Sequence, residues 1–361
     1  MRVAIVHDWI TSFSGAERVV LELHKMYPSA PIYTSVYNPD RAPQFAAADI
    51  RTSFIQKIPL ANKYHQYFSF LRRMTFKQFD FSNYDVVISS SGAEAKSIRT
   101  GKDTLHINYC HAPTHYYWSR YDQYTKSSST SFMNSVAKLV LKATIRKSRR
   151  WDYLAAQQPD IMIANSNHIA REIQKYYDRE ATVIHPPVDL GRFEVNSGDR
   201  NGFVIVGRQT HYKRIDLAVV ACTELAMPLV VVGHGPQHEF LKSIAGPTIK
   251  FVTDASDEDV AELISQAEAF IFPGLDDFGI VAIEAMAAGT PIIAYKAGGS
   301  LDYIDSRTGV FFDHQTPESL IEAIEKFDAR NFPPKKVAEA SKEYSLSAFT
   351  KKIKELVTTS T

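Results

Sequence analysis

Short apolar runs alternate along the chain with stretches in which apolar residues return every three or four positions. That alternation predicts parallel strands covered on both faces by helices. A first series of runs falls at residues 3–6, 85–89, 105–109 and 161–164. After the first run, Ala16, Val19, Val20 and Leu23 recur at helical spacing, which gives a strand, a glycine turn and a helix with one apolar stripe. A second series starts at residues 203–206 and continues at 229–232, 249–252, 269–272 and 291–294, each run followed by a helical stretch. Between the two series lie His185, Pro186, Pro187, Val188 and Asp189, where adjacent prolines forbid helix and favour extended chain. The expected architecture is α/β: two doubly wound domains, residues 1–185 and 186–345. Phe349, Ile353 and Val357 then stand four apart and predict an amphipathic helix within residues 346–361 that packs back on the first domain. Ligands of such sheets bind beyond the carboxyl ends of the strands, so two domains facing each other are expected to enclose a cleft.

Composition narrows the function. The length of 361 residues suits two domains that each bury a core. Lys plus Arg number 41 against 40 Asp plus Glu, so no global positive field exists to gather nucleic acid. Cys110 and Cys222 are too few for a disulfide framework, which points to a reducing, cytoplasmic setting. The opening run at residues 3–6 meets His7 and Asp8 at once and reads as a buried strand, not a signal-peptide core. No later run approaches the roughly 20 apolar residues of a membrane span.

The segment with most chemistry runs Gly274, Leu275, Asp276, Asp277, Phe278, Gly279, Ile280, Val281, Ala282, Ile283, Glu284 and on to Gly289. It predicts a strand-to-helix turn with a helix from near Gly279 to Gly289. Unpaired amides from Phe278 to Val281 would point into the cleft, ready for sugar hydroxyls or a diphosphate. An N-cap cluster on a structural helix is the plainer alternative. Arg208 and Lys213 sit between a strand end and the next helix, from where long cationic side chains reach a diphosphate, unless they are simply a solvated pair. His111 follows a strand and is held by Pro113; a histidine there either binds a sugar hydroxyl or packs. Gly15 lies in the first turn, where the missing side chain lets amides approach phosphate or acceptor, or where a tight turn is all that is needed. Asp257, Glu258 and Asp259 have the spacing of a metal-binding D-x-D, but acids are favoured at a helix start anyway and the cationic pair already supplies the charge of a divalent ion. No metal is expected.

Several segments now fall into one order: Ser14-Gly15-Ala16-Glu17, His111-Ala112-Pro113, Ala164-Asn165-Ser166, Pro186-Pro187-Val188-Asp189, Val206-Gly207-Arg208 with Lys213-Arg214, Val232-Gly233-His234-Gly235-Pro236, and the segment from Gly274 to Pro291. In that order they resemble the retaining glycosyltransferases of family four, which have two facing Rossmann-like domains in the GT-B arrangement. The Phe278-Gly279-Ile280-Val281 loop is most similar to mannosyltransferases that use GDP-mannose. The resemblance implies that Arg208 and Lys213 stabilise the departing diphosphate in place of a metal. It implies that His111 touches the donor sugar near its transferred carbon, that Glu284 holds the ribose, and that Val252 and Thr253 end a strand at the base pocket. No cofactor is implied beyond the nucleotide-sugar donor. Asp276 stands where the family usually has a glutamate on the hexose. Aspartate is one methylene shorter, so either the loop moves closer or the sugar contact weakens. A UDP- or ADP-sugar donor, or a silent sugar-nucleotide-binding subunit, are the alternatives.

Two stretches bear on the acceptor. Residues 54–84 carry Tyr64, Tyr67, Phe68, Phe70, Phe76 and Phe79 among Lys63, Arg72, Arg73 and Lys77, with no acid between Asp49 and Asp80. Lys138, Lys142, Arg146 and Arg149, joined by Lys147 and Arg150, form a basic stripe on a predicted helix. Both suit an anionic membrane surface; core aromatics and a solvated helix face explain them equally. Tyr116, Tyr117 and Trp118 either stack on an acceptor sugar or pack. The sequence thus leads to the expectation of a metal-independent, retaining transfer of a hexose, mannose from GDP-mannose, to a lipid-linked or saccharide acceptor, by a cytoplasmic protein peripheral on the inner face of a membrane, with no nucleic-acid partner.

Overall fold

A computed structural model describes residues 1–59, 61, 69–126, 132–196 and 198–361. The chain forms two units, Met1–Pro186 with Thr350–Thr361, and Pro187–Phe349.

Among the described residues the first unit is built on a seven-stranded parallel sheet in the order β3-β2-β1-β4-β5-β6-β7. Its strands are β1 (Val3–His7), β2 (Ile32–Thr34), β3 (Ile50–Thr52), β4 (Val86–Ser91), β5 (Leu105–Cys110), β6 (Ile161–Ala164) and β7 (Thr182–Val183). β1 pairs with both β2 and β4, so the winding reverses between β1 and β4. Both strands are buried along their whole length, as central strands covered on two faces must be. The predicted strand at 85–89 begins one residue later and runs to Ser91, and the Asp85 carboxylate accepts the Arg2 N–H at 2.6 Å.

Helix α1 (Gly15–Met26) buries Val19, Val20 and Leu23 and starts from a capping box between Ser14 and Glu17. Helix α2 (Phe132–Ala156) is 25 residues long, and α3 (Asn167–Tyr177) starts where the Ser166 hydroxyl accepts the Ile169 N–H at 3.1 Å. The carboxy-terminal end of α2 is tied to the segments after β4 and β5 and to α3 by a buried polar knot. Asp152 accepts from Lys96 Nζ and the Thr114 hydroxyl at 2.8 Å each, and from Trp118 Nε1 and the Tyr177 hydroxyl at 2.7 Å each.

This packing corrects two readings of the acceptor side. Phe76 belongs to a buried cluster with Tyr33, Phe81 and Val87, and Phe79 packs against it. Arg72 is buried against Glu94 at 3.0 Å, while Arg73 bonds Ser148 at 2.8 Å and lies over the Trp151 ring. These aromatics and arginines are core, not a lipid-facing surface; Lys63, Tyr64, Tyr67 and Phe68 lie outside the described residues, as does the Phe70 side chain. Tyr116, Tyr117 and Trp118 also pack: the Tyr116 hydroxyl meets Glu94 at 3.2 Å, Tyr117 is buried, and Trp118 serves Asp152.

The second unit has a six-stranded parallel sheet in the order β10-β9-β8-β11-β12-β13. The strands are β8 (Phe203–Val206), β9 (Leu229–Val232), β10 (Ile249–Val252), β11 (Ala269–Phe272), β12 (Ile292–Tyr295) and β13 (Gly309–Phe312). Neighbouring residues go to opposite faces: Phe270 and Ile292 enter one core with Ala285 and Met286, Ile271 and Ile293 enter the other with Leu217 and Val231. Helices α4 (Ile215–Glu224), α5 (Asp257–Gln266) and α6 (Ile280–Ala287) follow β8, β10 and β11. Helix α7 (Leu346–Ser360) buries Phe349, Ile353 and Val357 and contains the second passage of the chain between units, after Phe349.

Candidate active site

In a doubly wound sheet the crevice opens where the winding reverses, beyond the carboxyl ends of the strands. In the second unit this is the space after β8 and β11, and the loops there carry Arg208, Lys213 and Asp276. Arg208 follows β8 by two residues, is exposed, and meets no carboxylate among the described residues. Lys213 ends a short turn, His211–Lys213, and its ammonium pairs with Asp276 Oδ2. Asp276 is 9 % exposed, and its other oxygen, Oδ1, is buried with no hydrogen-bond partner among the described residues. A buried carboxylate oxygen left unpaired costs free energy unless a ligand or water supplies a donor.

The loop that presents Asp276 is fixed by backbone contact. The Gly299 N–H donates to the Asp276 carbonyl at 2.9 Å, and a Cβ on Gly298 would come within 2.5 Å of that oxygen. Gly279 starts α6 with a φ of 94°, and a Cβ there would lie 2.5 Å from the Phe272 ring and 2.7 Å from the Tyr303 hydroxyl, so only glycine fits. Phe278 turns its ring into the core against Tyr303 and Tyr344, with centroids 5.5 and 5.8 Å away, and its carbonyl accepts the Tyr303 hydroxyl at 2.8 Å. Its ring is therefore an anchor for the loop. The amides of Ile280 and Val281 lie in the first turn of α6, where the helix has no acceptor for them. Glu284 is buried in the next turn. A groove of about 640 Å³ lined by Asp302, Tyr303, Arg307, Glu339, Glu343 and Tyr344 shares the two tyrosines with this cluster but none of the predicted site residues.

Val252 and Thr253 lie at the end of β10. The Val252 carbonyl accepts the Gly233 N–H at 2.8 Å, and the exposed Thr253 hydroxyl donates to Asp254 at 3.1 Å. Asp257 pairs with Arg192 at 2.9 Å, and Asp259 closes a capping box with Ser256, accepting its N–H at 2.8 Å, so these acids start α5. Sequence reasoning missed Gln209. Fully buried, it donates Nε2–H to the Gly233 carbonyl at 2.6 Å and meets His238 Nδ1 at 2.8 Å, which ties the β8 and β9 loops together directly beside Arg208. No periodicity marks such a residue; its place straight after a strand-end cation is the only signal.

His111 and Gly15 belong to the first unit. His111 follows β5, with its N–H on the Ser91 carbonyl at 2.9 Å and its own carbonyl accepting Asn165 Nδ2–H at 2.8 Å. Its Nε2 lies 2.7 Å from the Ser90 hydroxyl. The Ser90 carbonyl in turn accepts His7 Nδ1–H at 2.8 Å, and the His7 and His111 rings stand edge to face at 6.3 Å.

Gly15 is the first residue of α1, and Glu17 reaches back from that helix to within 3.8 Å of His7 Nε2. Burial alone would push the His7 value down, but the hydrogen bond and charge of Glu17 outweigh it and raise it. Burial opposes the Glu17 carboxylate too, and His7 holds it below the ordinary range. Asp8, next in the chain, accepts the N–H groups of Gly92, Ala93 and Ala95 at 2.7, 2.9 and 2.6 Å and so fixes the β4 loop. His7, Asp8, Glu17 and Ser90 were not anticipated, although an imidazole and a carboxylate adjoining at a buried strand end were the sign of them.

Residues 13–192 match the family model described as Glycosyltransferase Family 4, and residues 190–344 match that of Glycosyl transferases group 1. A D-inositol 3-phosphate glycosyltransferase of Nocardioides is 28 % identical over 208 residues, covering 46 % of this chain and 45 % of that protein. The chain thus spans less than half the length of that curated relative. A solved structure of Anabaena HepE in complex with UDP covers 99 % of this chain and 100 % of its own with a TM-score of 0.72 at 15 % identity. Sucrose-phosphate synthase from Thermosynechococcus elongatus covers 99 % of each chain with a TM-score of 0.70 at 16 % identity. At such identities the likeness is one of fold. With a family 4 domain followed by a group 1 domain, each on its own doubly wound sheet, the chain belongs to the family 4 glycosyltransferases of the GT-B fold.

Proposed function

We propose that this chain is a retaining, metal-independent hexosyltransferase that takes mannose from GDP-mannose to a lipid-linked or saccharide acceptor. The observation that supports it most is the pair before α6, an Asp276 oxygen buried with no donor among the described residues and a lysine on the other oxygen, together with an exposed Arg208 on the loop after β8 that meets no carboxylate among them. A carboxylate oxygen in that state suits a sugar hydroxyl; two cations with free helix amides suit a diphosphate.

In this reading Arg208, Lys213 and the amides of Ile280 and Val281 take up the charge that grows as the anomeric C–O bond to the diphosphate breaks. A C–O bond to the acceptor hydroxyl forms on the same face, and the hydroxyl proton passes to the departing phosphate oxygen. Asp276 and His111 position the hexose, Glu284 the ribose, Val252 and Thr253 the base. Gly15 leaves room for the acceptor or phosphate. The Asp276 carboxylate also holds Lys213 in place. No helix among the described residues is long and apolar enough to cross a membrane, and we assign the protein to the cytoplasmic face as a peripheral protein.

Thermal-shift screening against GDP-, UDP- and ADP-sugars, with and without EDTA, tests the reading. GDP-mannose is expected to stabilise most, by the linkage of ligand to the folded state, with no effect of chelation. Larger stabilisation by a UDP-sugar would replace the mannose assignment. Stabilisation without release of sugar from the donor would leave a silent binding subunit.

A further inference from the structure

Helix α2 presents its faces in the opposite sense from a water-facing helix. At 3.6 residues per turn, Leu141, Ile145, Ser148 and Asp152 fall on one side. That side looks inward: Ser148 and Asp152 are buried, Asp152 in the knot with Lys96. The opposite side, an arc of about 100° centred on Val136, holds Leu139, Val140, Ala143, Lys147, Arg150 and Leu154. Val136, Leu139, Val140 and Leu154 on it are 43, 69, 54 and 52 % exposed. Lys142, Arg146, Lys147 and Arg150 are exposed as well, and the sequence has no acid between Asp122 and Asp152. Arg149 does not belong to this set, since it turns inward to the Tyr117 carbonyl at 2.7 Å and lies over the Trp118 ring.

A stripe of leucine and valine pointing away from the body gains nothing in water, and a helix held by its carboxy-terminal end has no need of it. Apolar residues mixed with cations of one sign on an outward helix face match a surface that is apolar within and anionic at its rim. We propose that the outward face of α2 is a docking surface for an anionic lipid bilayer. Val136, Leu139 and Val140 enter the interface, and Lys142, Arg146, Lys147 and Arg150 engage headgroup phosphates. This deepens the lipid-linked acceptor reading above and rests on it for its purpose. The charge favours lipid over a second copy of the chain, because two such faces would bring like charges together.

Co-sedimentation of the intact chain with extruded vesicles tests it, with phosphatidylcholine alone compared with phosphatidylcholine containing phosphatidylglycerol. Binding is expected only to the anionic vesicles and should weaken with salt. Lys147→Gln with Arg150→Gln should lower the partition at least about 25-fold, roughly fivefold per cation, and Leu139→Ser should lower it independently. Equal binding to both vesicle types, or variants that bind like the parent, would overturn the proposal. So would a chain dimer in sedimentation velocity that Leu139→Ser dissolves. The thermal shift with GDP-mannose is read on the same variants. Vesicle binding without any nucleotide shift would refute the donor assignment and leave the surface standing; the reverse result would refute the surface alone.

Discussion

Asp276 and Lys213 act as one unit, and their variants should differ accordingly. Lys213→Ala leaves the Asp276 carboxylate without its ion-pair partner and, in the proposed reading, removes a cation from the diphosphate. Donor turnover is expected to fall at least about a hundredfold, the cost of losing one preorganised charge-stabilising donor. Turnover of GDP-mannose by folded protein checks it, and a near-normal rate would remove Lys213 from the mechanism. His7 and Glu17 make a prediction in pH. The raised His7 value adds stability in full below its ordinary 6.5, and this is lost as pH climbs through the folded value. The lowered Glu17 value adds stability in full above its ordinary 4.5, lost as pH drops through the folded value. The gap in urea midpoint between the parent and a His7→Gln, Glu17→Gln double variant should therefore be widest between those two values and narrow above 6.5. A gap constant from pH 5 to 9 would mean that no ion pair forms. The placement of Arg208 and His111 after strands and of Lys213 in the following turn was legible, because strand ends and turn residues mark them. Gln209 and Ser90 were not, since their partners come from other strands and only the folded sheet brings them within reach.

At the scale of elements, the long apolar runs were read correctly because strands buried on two faces are continuous in sequence. β2, β3, β7 and β13 were missed: they have 3, 3, 2 and 4 residues, and the neighbouring strand decides their state more than their own pattern does. The aromatic stretch at 54–84 could be read as surface or as core for a related reason. Arg72 finds a buried acid, Glu94, and Arg73 the Ser148 hydroxyl on distant segments, and composition cannot show that. The same holds for Lys96 and Asp152, whose ion pair ties the 95–97 turn to α2. Lys96→Met leaves the Asp152 carboxylate buried with its three hydroxyl and indole donors alone, so a loss of about 3 kcal/mol is expected. Urea unfolding measures it, and a loss under about 1 kcal/mol would show that the ammonium is dispensable.

Across the whole molecule the chain passes between units twice, once between Pro186 and Pro187 and once inside α7. Two prolines announce the first passage, whereas a continuous helix hides the second, where no break of pattern exists. The tail beyond it carries Ile353 and Val357, both buried. Each such side chain contributes about 1.5–3 kcal/mol. Removal of residues 350–361 should make the first unit sensitive to limited proteolysis while a fragment covering 187–349 persists. Simultaneous loss of both would show that they stand or fall together.

The double passage also sets the order of assembly at the ribosome. Residues 187–349 form one uninterrupted segment and can complete their sheet and cores as soon as they emerge, whereas residues 1–186 wait for residues 350–361. Of the two units, the one that begins to emerge first is thus finished second, and its half-covered strands must stay out of trouble in the interval.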